Sequence, residues 1–211
     1  KRAKEFSWLN KIGVCGIKVD FFAGDQQDMM TYYIDILKDA AKYHLLVNFH
    51  GATVPRGWAR TFPNLMTTEA VYGAEWYNND QVLTNKAATH NTTLPFTRNV
   101  IGSMDYTPVT FSDSQHPHIT TYAHELALSV VFESGLQHFA DRPSTYESLP
   151  AAPKEFLKQV PVAWDDTKLI DGYPGEKVIM ARKKGNKWYI AGLNGKNVSQ
   201  TLLVKFDFID K

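Results

Sequence analysis

The chain has 211 residues, with 23 Lys and Arg against 22 Asp and Glu, for a formal charge of +1. No block of like charge stands out, which excludes the electrostatic footprint of a nucleic-acid-binding protein. At 44 % apolar and 21 % charged residues it is not a disordered chain either. No apolar run is long enough to span a bilayer.

The length suffices for one sizeable core, or one core and a small module. Aromatic residues make up 13 % of the chain, which suits either a site that stacks sugar rings or a plain aromatic core. The single cysteine, Cys15, cannot form an internal disulfide and, in its apolar run, reads as a small buried hydrophobe. The chain opens on Lys1-Arg2-Ala3-Lys4-Glu5-Phe6 without an initiator Met. The expectation is therefore a piece of a longer or processed protein, and the lack of a visible signal peptide carries no weight.

In chain order, residues 1–12 read as a helix with Phe6, Leu9 and Ile12 on one face. Gly13 punctuates, and a strand follows over Val14–Asp20. The helical spacing of Met29, Tyr32, Tyr33, Ile36, Leu37, Ala40 and Ala41 predicts a helix over Asp28–Tyr43. Leu45–His50 reads as a second strand, completing a strand–helix–strand unit. A loop punctuated by Gly51, Pro55, Gly57 and Pro63 leads to a third strand at Leu65–Thr68.

Residues 72–90 read as a polar loop, Thr93–Arg98 as a short fourth strand, and Asn99–Asp113 as irregular. Thr120–Phe132 is a strong helix, and Gly135–Ala140 a last barrel strand. From about residue 160 the pattern turns β-rich. Lys177–Arg182 and Lys187–Gly192 bracket Lys183-Lys184-Gly185-Asn186 as a hairpin, and Thr201–Phe208 alternates as a strand that would pair with it. No internal repeat is visible.

The fold class expected is α/β: the C-terminal half of a (β/α)8 barrel, residues 1–158, followed by a small antiparallel β domain, residues 159–211. A closed barrel needs eight strands and roughly 250 residues, so the chain reads as the C-terminal portion of a longer enzyme.

Each predicted strand ends in groups that can do chemistry, which is how a parallel barrel builds an active site. The first delivers Lys18 and Asp20, the second Asn48 and His50, the third Glu69 and then Glu75, the fourth Arg98. Glycoside cleavage needs one carboxylate to attack, or to activate water, and another to protonate the leaving oxygen. Asp20, on a strand end, suits a rigid nucleophile. Lys18 shares its strand parity and would face the same way, to hold the carboxylate or bind a sugar hydroxyl. Glu75, beside Trp76 and Tyr77, suits a proton donor. Glu69 offers hard oxygen to a Ca²⁺ ion. Singly, an Asp after a strand is an ordinary helix cap, glutamates six apart an ordinary solvated face, and His50 an ordinary core histidine. Their placement at successive strand ends is what points to a shared site.

The segments Gly16-Ile17-Lys18-Val19-Asp20-Phe21, Leu46-Val47-Asn48-Phe49-His50-Gly51-Ala52, Arg60–Glu69, Gly73-Ala74-Glu75, Pro95-Phe96-Thr97-Arg98 and Gly102–Pro108 resemble glycoside hydrolase family 97 from about residue 12 to the end. The resemblance implies a calcium-dependent bacterial exo-acting α-glycosidase with an N-terminal β-sandwich, a central (β/α)8 barrel and a C-terminal β domain. The N-terminal domain and first barrel strands would lie outside this chain. It also implies a periplasmic or extracellular location.

The family divides into inverting α-glucosidases, with a glutamate base directly after the histidine of the second segment, and retaining α-galactosidases, with an aspartate nucleophile ending the first. Gly51 follows His50 here, and Asp20 ends the first segment. The resemblance therefore implies the retaining α-galactosidase branch. It makes Asp20 the nucleophile, Glu75 the acid/base, Lys18 and His50 substrate-binding residues and Glu69 a calcium ligand. No role follows for Arg98 or Asp105. The alternatives are an α-glucosidase of the same family and a non-catalytic carbohydrate-binding fragment.

Overall fold

Side-chain alternation orients the first sheet. In β1 (Gly16–Val19) and β2 (Leu46–Phe49), Ile17, Val19, Val47 and Phe49 join one apolar cluster, while Lys18 and Asn48 have the opposite parity. The computed structural model describes residues 1–113 and 115–209 and divides into two units. The first comprises residues 1–71, 101–105 and 134–136; the second comprises 72–100, 106–133 and 137 onward.

In the first unit, α1 (Arg2–Lys11), α2 (Gln27–Lys42) and β3 (Leu65–Thr68) complete the regular elements, and the sheet is parallel in the order β1-β2-β3. The three predicted strands and two helices are all present. Of the expected face on α1, Phe6 is buried but Ile12 is 53 % exposed. α2 crosses from β1 to β2 and presents Tyr33, Ile36, Leu37 and Ala40, all buried, to the sheet. Phe22 stacks on Tyr33 with ring centroids 3.9 Å apart, and the Phe49 ring meets both edge-on at 5.3 and 4.9 Å. The Tyr33 hydroxyl is not stranded in this core, because it accepts the Thr53 N–H at 3.0 Å. At the surface Arg2 of α1 binds Asp39 of α2.

Cys15 is exposed rather than buried. It precedes β1, the edge strand of this sheet, so its apolar run is covered on fewer sides than the sequence suggests. A fourth parallel position exists only as an isolated bridge from Thr68 to Met104. It does not come from Thr93–Arg98, which was expected to be a strand.

In the second unit that stretch is helical. α3 (Gln81–Thr84) and α4 (Ala87–Thr93) run into 3-10 turns at Leu94–Phe96 and Arg98–Ile101, and another such turn spans Ala74–Asn78. The supposed polar loop at 72–90 is thus largely helical as well. The misleading signal is the threonines. Thr92, Thr93 and Thr97 donate their hydroxyls to the carbonyls of Ala88, Thr89 and Thr93, so β-branched residues are satisfied within a helix. Asp80 caps α3 by accepting the Val82 and Leu83 N–H groups.

α5 (Tyr122–Val131) matches the strong predicted helix, with Thr121 as its cap. α6 (Pro143–Ser148) and α7 (Ala151–Gln159) follow. The antiparallel sheet comprises β4 (Asp166–Tyr173), β5 (Lys177–Lys184) and β6 (Lys187–Asn194), in that order. The predicted hairpin is β5–β6, closed by Gly185-Asn186 with Gly185 at φ +56°. From the middle strand, Arg182 donates to the Val130 and Val131 carbonyls at 2.6 and 2.9 Å. It thereby satisfies acceptors that the end of α5 leaves open.

Two further expected strands do not form. Gly135–Ala140 has no ladder: Ser134 is tied to Thr67 by a 2.7 Å hydroxyl bond, and a Cβ on Gly135 would lie 2.7 Å from the Met66 carbonyl. Residues 201–206 are irregular, since Asn194 draws the chain into a local turn through Lys196 and Gln200. Leu203 is left 85 % exposed, while Phe208 closes on Trp188 at 4.8 Å.

Phe49 is fully buried and joins both aromatic partners to the sheet. Phe49→Ala is therefore expected to cost ~3–5 kcal/mol. A lowered denaturant midpoint at unchanged slope is the check.

Candidate active site

Hydrogen-bond register places the site. Val19 pairs with Phe49, Phe49 with Thr68, and Thr68 with Met104, all in parallel. The next residue of each strand is Asp20, His50, Glu69 and Asp105. Four polar residues therefore stand on one rung, on the parity of Lys18, Asn48 and Thr67 rather than that of the apolar cluster. The chain turns sharply after three of them: Phe21, Gly51 and Ala70 have φ of +65°, +50° and +41°. At Phe21 and Ala70, which are not glycines, such conformations cost of order 1–3 kcal/mol each, and they concentrate at functional sites.

His50 is the centre of this group. It is fully buried, and its Nε2 lies 2.7 Å from Asp105 Oδ2, which also accepts the Asn48 amide at 2.6 Å. Its Nδ1 lies 3.5 Å from Glu69 Oε1. Burial alone would lower the imidazole's pKa, but the Asp105 and Glu69 carboxylates outweigh it and raise it to about 9. For Glu69, burial acts upward. The His50 imidazole and the Gly51 N–H, which donates to Oε2 at 2.7 Å, hold it below the usual carboxylate range instead.

Asp20 sits at the mouth of the group with its side chain about a quarter exposed. Lys18 Nζ is 3.6 Å from Oδ2, and the Phe21 N–H donates to Oδ1 at 2.8 Å. An ion pair this exposed contributes little stability, so its effect is to orient the carboxylate. Lys18 and Asp20 do face the same way, as parity requires. Gly51 lies in front of them. A Cβ there would stand 2.9 Å from Asp20 Oδ1 and 3.0 Å from the Phe21 nitrogen. Gly51 is also a junction, since its carbonyl accepts the Phe22 N–H at 3.1 Å while its N–H holds Glu69.

Of the residues singled out in the sequence, Lys18, Asp20, His50 and Glu69 are thus brought together. Glu75 belongs to the second unit, on the 3-10 turn Ala74–Asn78 rather than on an irregular loop. Within that unit it lines a cavity of about 260 Å³ with Asn78, Thr110, Ser112 and Arg142. Arg98 does not belong to a strand end. It is buried on a 3-10 turn of the second unit, where burial lowers its pKa to about 10 against the pull of Glu133. Sequence reasoning gave Asp105 no role. Its only signal was an acid directly after Met104, and a single bridge residue is too short to read as a strand.

Family profiles match at both ends of the chain: "Glycoside hydrolase 97" over residues 1–71 and "Glycosyl-hydrolase 97 C-terminal, oligomerisation" over residues 163–211. The chain belongs to glycoside hydrolase family 97.

This family 97 chain is 48 % identical over 184 residues to a protein of Streptomyces bingchenggensis named "Probable retaining alpha-galactosidase". It is 34 % identical over 193 residues to a "Retaining alpha-galactosidase" of Bacteroides thetaiotaomicron. Each alignment takes in 87 % of this chain but only 28 and 29 % of the relative, so the chain spans under a third of their length.

Among solved structures, a beta-arabinopyranosidase superposes with a TM-score of 0.87 at 40 % identity, over 92 % of this chain and 32 % of that one. A family 97 enzyme of Pseudoalteromonas sp. strain K8 in complex with acarbose superposes at 0.81 and 28 % identity, over 91 and 33 %. The parallel sheet followed by an antiparallel three-stranded sheet is the fold class of a C-terminal barrel half followed by a β domain.

Two outcomes follow for this site. His50 is raised in the folded state, so its ion pairs stabilise fully below pH 6.5 and are lost as pH rises through about 9. The Glu69 contribution is lost instead as pH falls through its depressed value. Asp105→Asn should return His50 toward its ordinary range and flatten the stability loss between pH 6.5 and 9, as read by NMR titration of the imidazole and by thermal unfolding. Gly51→Ala meets both a positive φ and the Asp20 carboxylate. It should cost ~1–2 kcal/mol of stability and displace Asp20, which a crystal structure would show.

Proposed function

We propose that the protein to which this chain belongs is a retaining exo-acting α-galactosidase, a glycoside hydrolase that works by double displacement. The observation that carries the reading is the pairing of Asp20 with Gly51: an oriented, accessible carboxylate stands on the strand-end rung, and the position after His50 has no side chain to obstruct it. The inverting branch of the family has a glutamate at the position of Gly51, and here a side chain there would collide with Asp20. The two retaining α-galactosidases among the relatives support the same branch.

In this reading Asp20 attacks the anomeric carbon from one face while Glu75 gives its proton to the glycosidic oxygen, which leaves. Glu75 then takes a proton from water, the water attacks the glycosyl-Asp20 ester, and the sugar departs with its α configuration. Lys18 presents N–H donors to the sugar hydroxyls, and His50, held charged with its ring nitrogens on Asp105 and Glu69, adds positive charge to the sugar-binding rung.

Glu69 is the proposed calcium ligand. A carboxylate oxygen suits a hard cation, and against its burial the His50 and Gly51 contacts hold Glu69 in its ionised form. Calcium takes six to eight oxygens, so Glu69 would be one donor among several. When bound, the ion would supply positive charge beside the sugar.

We assign residues 1–158 to the barrel and 159–211 to the C-terminal domain, which the two profile matches support. The second profile's description favours self-association through that domain. A periplasmic or extracellular location completes the reading on family grounds.

A β-arabinopyranosidase is the second reading, favoured by the structural neighbour at 40 % identity. The chemistry connects the two, since a β-L-arabinopyranoside is an α-galactoside ring without its hydroxymethyl group. Comparing kcat/KM on aryl α-galactoside, aryl β-L-arabinopyranoside and aryl α-glucoside separates these substrates. Asp20→Asn in the full-length enzyme should lower turnover by ~10³-fold or more, with azide restoring part of it as an external nucleophile. A variant that keeps most of its rate refutes the nucleophile. Early NMR spectra should show α-galactose as the first product, and a β product would mean inversion.

A further inference from the structure

The second unit buries a carboxyl group that the chemistry above does not use. Glu125, on α5, is 1 % exposed. Its Oε1 accepts the Thr120 hydroxyl at 2.7 Å and the Tyr77 hydroxyl at 3.2 Å. Tyr77 sits two residues after Glu75 on the same 3-10 turn and is buried.

That turn has other anchors as well, among them the Asn79 side-chain amide, which donates to the Glu75 carbonyl at 3.2 Å. The Ala74 N–H donates to the Tyr106 carbonyl at 2.9 Å, the His116 N–H donates to the Tyr77 carbonyl at 3.2 Å, and the Tyr106 hydroxyl lies 3.5 Å from that of Tyr77. A five-residue 3-10 turn has poorer hydrogen-bond geometry than an α-helix, which gives such tertiary contacts more weight. Tyr77 is the buried side chain of the turn, so the direction in which the turn presents Glu75 depends in part on where the Tyr77 ring is pinned.

We propose that Glu125 is a positioning residue for Glu75, acting through the Tyr77 hydroxyl on the turn the two share. The inference rests on the reading of Glu75 as the acid/base. Geometry makes the link, and titration makes it adjustable. Burial drives the Glu125 carboxyl up to about 7, against the opposing pull of Thr120, His118 and Tyr77. Of the other titratable groups facing it, Tyr77 and Tyr106 are held protonated by burial, and His118 packs edge-on against the Tyr77 ring at 4.3 Å while paired to Asp113. His124, one residue before it on α5, is kept neutral by burial.

Above pH 7 Tyr77 donates to a carboxylate, a charge-assisted bond roughly twice as strong as a neutral one. Below pH 7 it faces a carboxylic acid, and the hold on the turn weakens. Glu125→Gln locks the site in the uncharged form at nearly the same size.

The experiment measures kcat/KM of the full-length enzyme from pH 5 to 8.5 on two aryl α-galactosides. One has a poor leaving group that needs the Glu75 proton, and the other a dinitrophenolate that does not. For the poor leaving group, the ratio of wild type to Glu125→Gln should be near one at pH 5.5 and rise through pH 7 to roughly fivefold at pH 8. For the dinitrophenyl substrate it should stay near one. Placed in a Tyr77→Phe background, Glu125→Gln should have no pH-dependent effect. Thr120→Val, which removes one donor from Glu125, should move the midpoint of the response upward, and it serves if Glu125→Gln does not fold.

A loss that is flat with pH, or equal on both substrates, would mean that Glu125 only stabilises the fold and would overturn the proposal. Glu75→Gln on the same substrates keeps the two claims apart. If it spares both, the acid/base reading itself has failed. If it loses only the poor leaving group while the Glu125 ratio stays flat, only the positioning link has failed.

Discussion

The parallel register of three strands and one further bridge at one level is the constraint on which the candidate site depends. Because Val19, Phe49, Thr68 and Met104 are paired neighbours, the residue after each is delivered to the same rung. No local preference of Asp20, His50, Glu69 or Asp105 could bring them together, since they are scattered over more than 80 positions of the chain. The ladder does so, and the same alternation that sends Phe49 and Val47 into the apolar cluster sends Asn48 toward Asp105. The stability of the core and the geometry of the polar rung are therefore two faces of one sheet. A register slip of one residue would exchange them.

Once assembled, the rung is held by charge. His50 is buried with two carboxylates in reach, and the cost of burying it is met because each ring nitrogen has an acid beside it. Asp20 is the exception, at the edge and partly exposed, with a lysine to orient it and a glycine in front. That contrast between a rigid interior and an open carboxylate supports the nucleophile role proposed for Asp20. The second unit uses buried groups in a similar way, with Arg182 fastening the end of α5 and Glu125 tied to the turn that carries Tyr77.

Where reading the sequence failed, it failed for local reasons. Thr92, Thr93 and Thr97 look like a strand because β-branched residues favour one, yet their hydroxyls found carbonyls one helical turn back. Leu203 and Phe206 alternate as a strand should, but a strand exists only beside a partner, and Asn194 turns the chain away first. Asp105 was passed over because its strand has shrunk to one bridge. Glu125 was invisible for a different reason: on a helix, a buried glutamate and an exposed one occupy the same kind of pattern, and only packing tells them apart.

What the amino-acid order alone determined is whatever is encoded within a few residues. That includes the helical period of α2, the hairpin around Lys183-Lys184-Gly185-Asn186, the strands at β1, β2 and β3, and the acids and histidine at their ends, together with the segments that carry the family. Only the tertiary structure decided which of those groups meet: that His50 is charged between Asp105 and Glu69, that Gly51 leaves Asp20 open, and that Tyr77 is tied to Glu125. The physical reason is range. Propensity and periodicity act over one or two turns of chain, whereas charge, burial and steric exclusion act through space, between residues that the sequence keeps far apart.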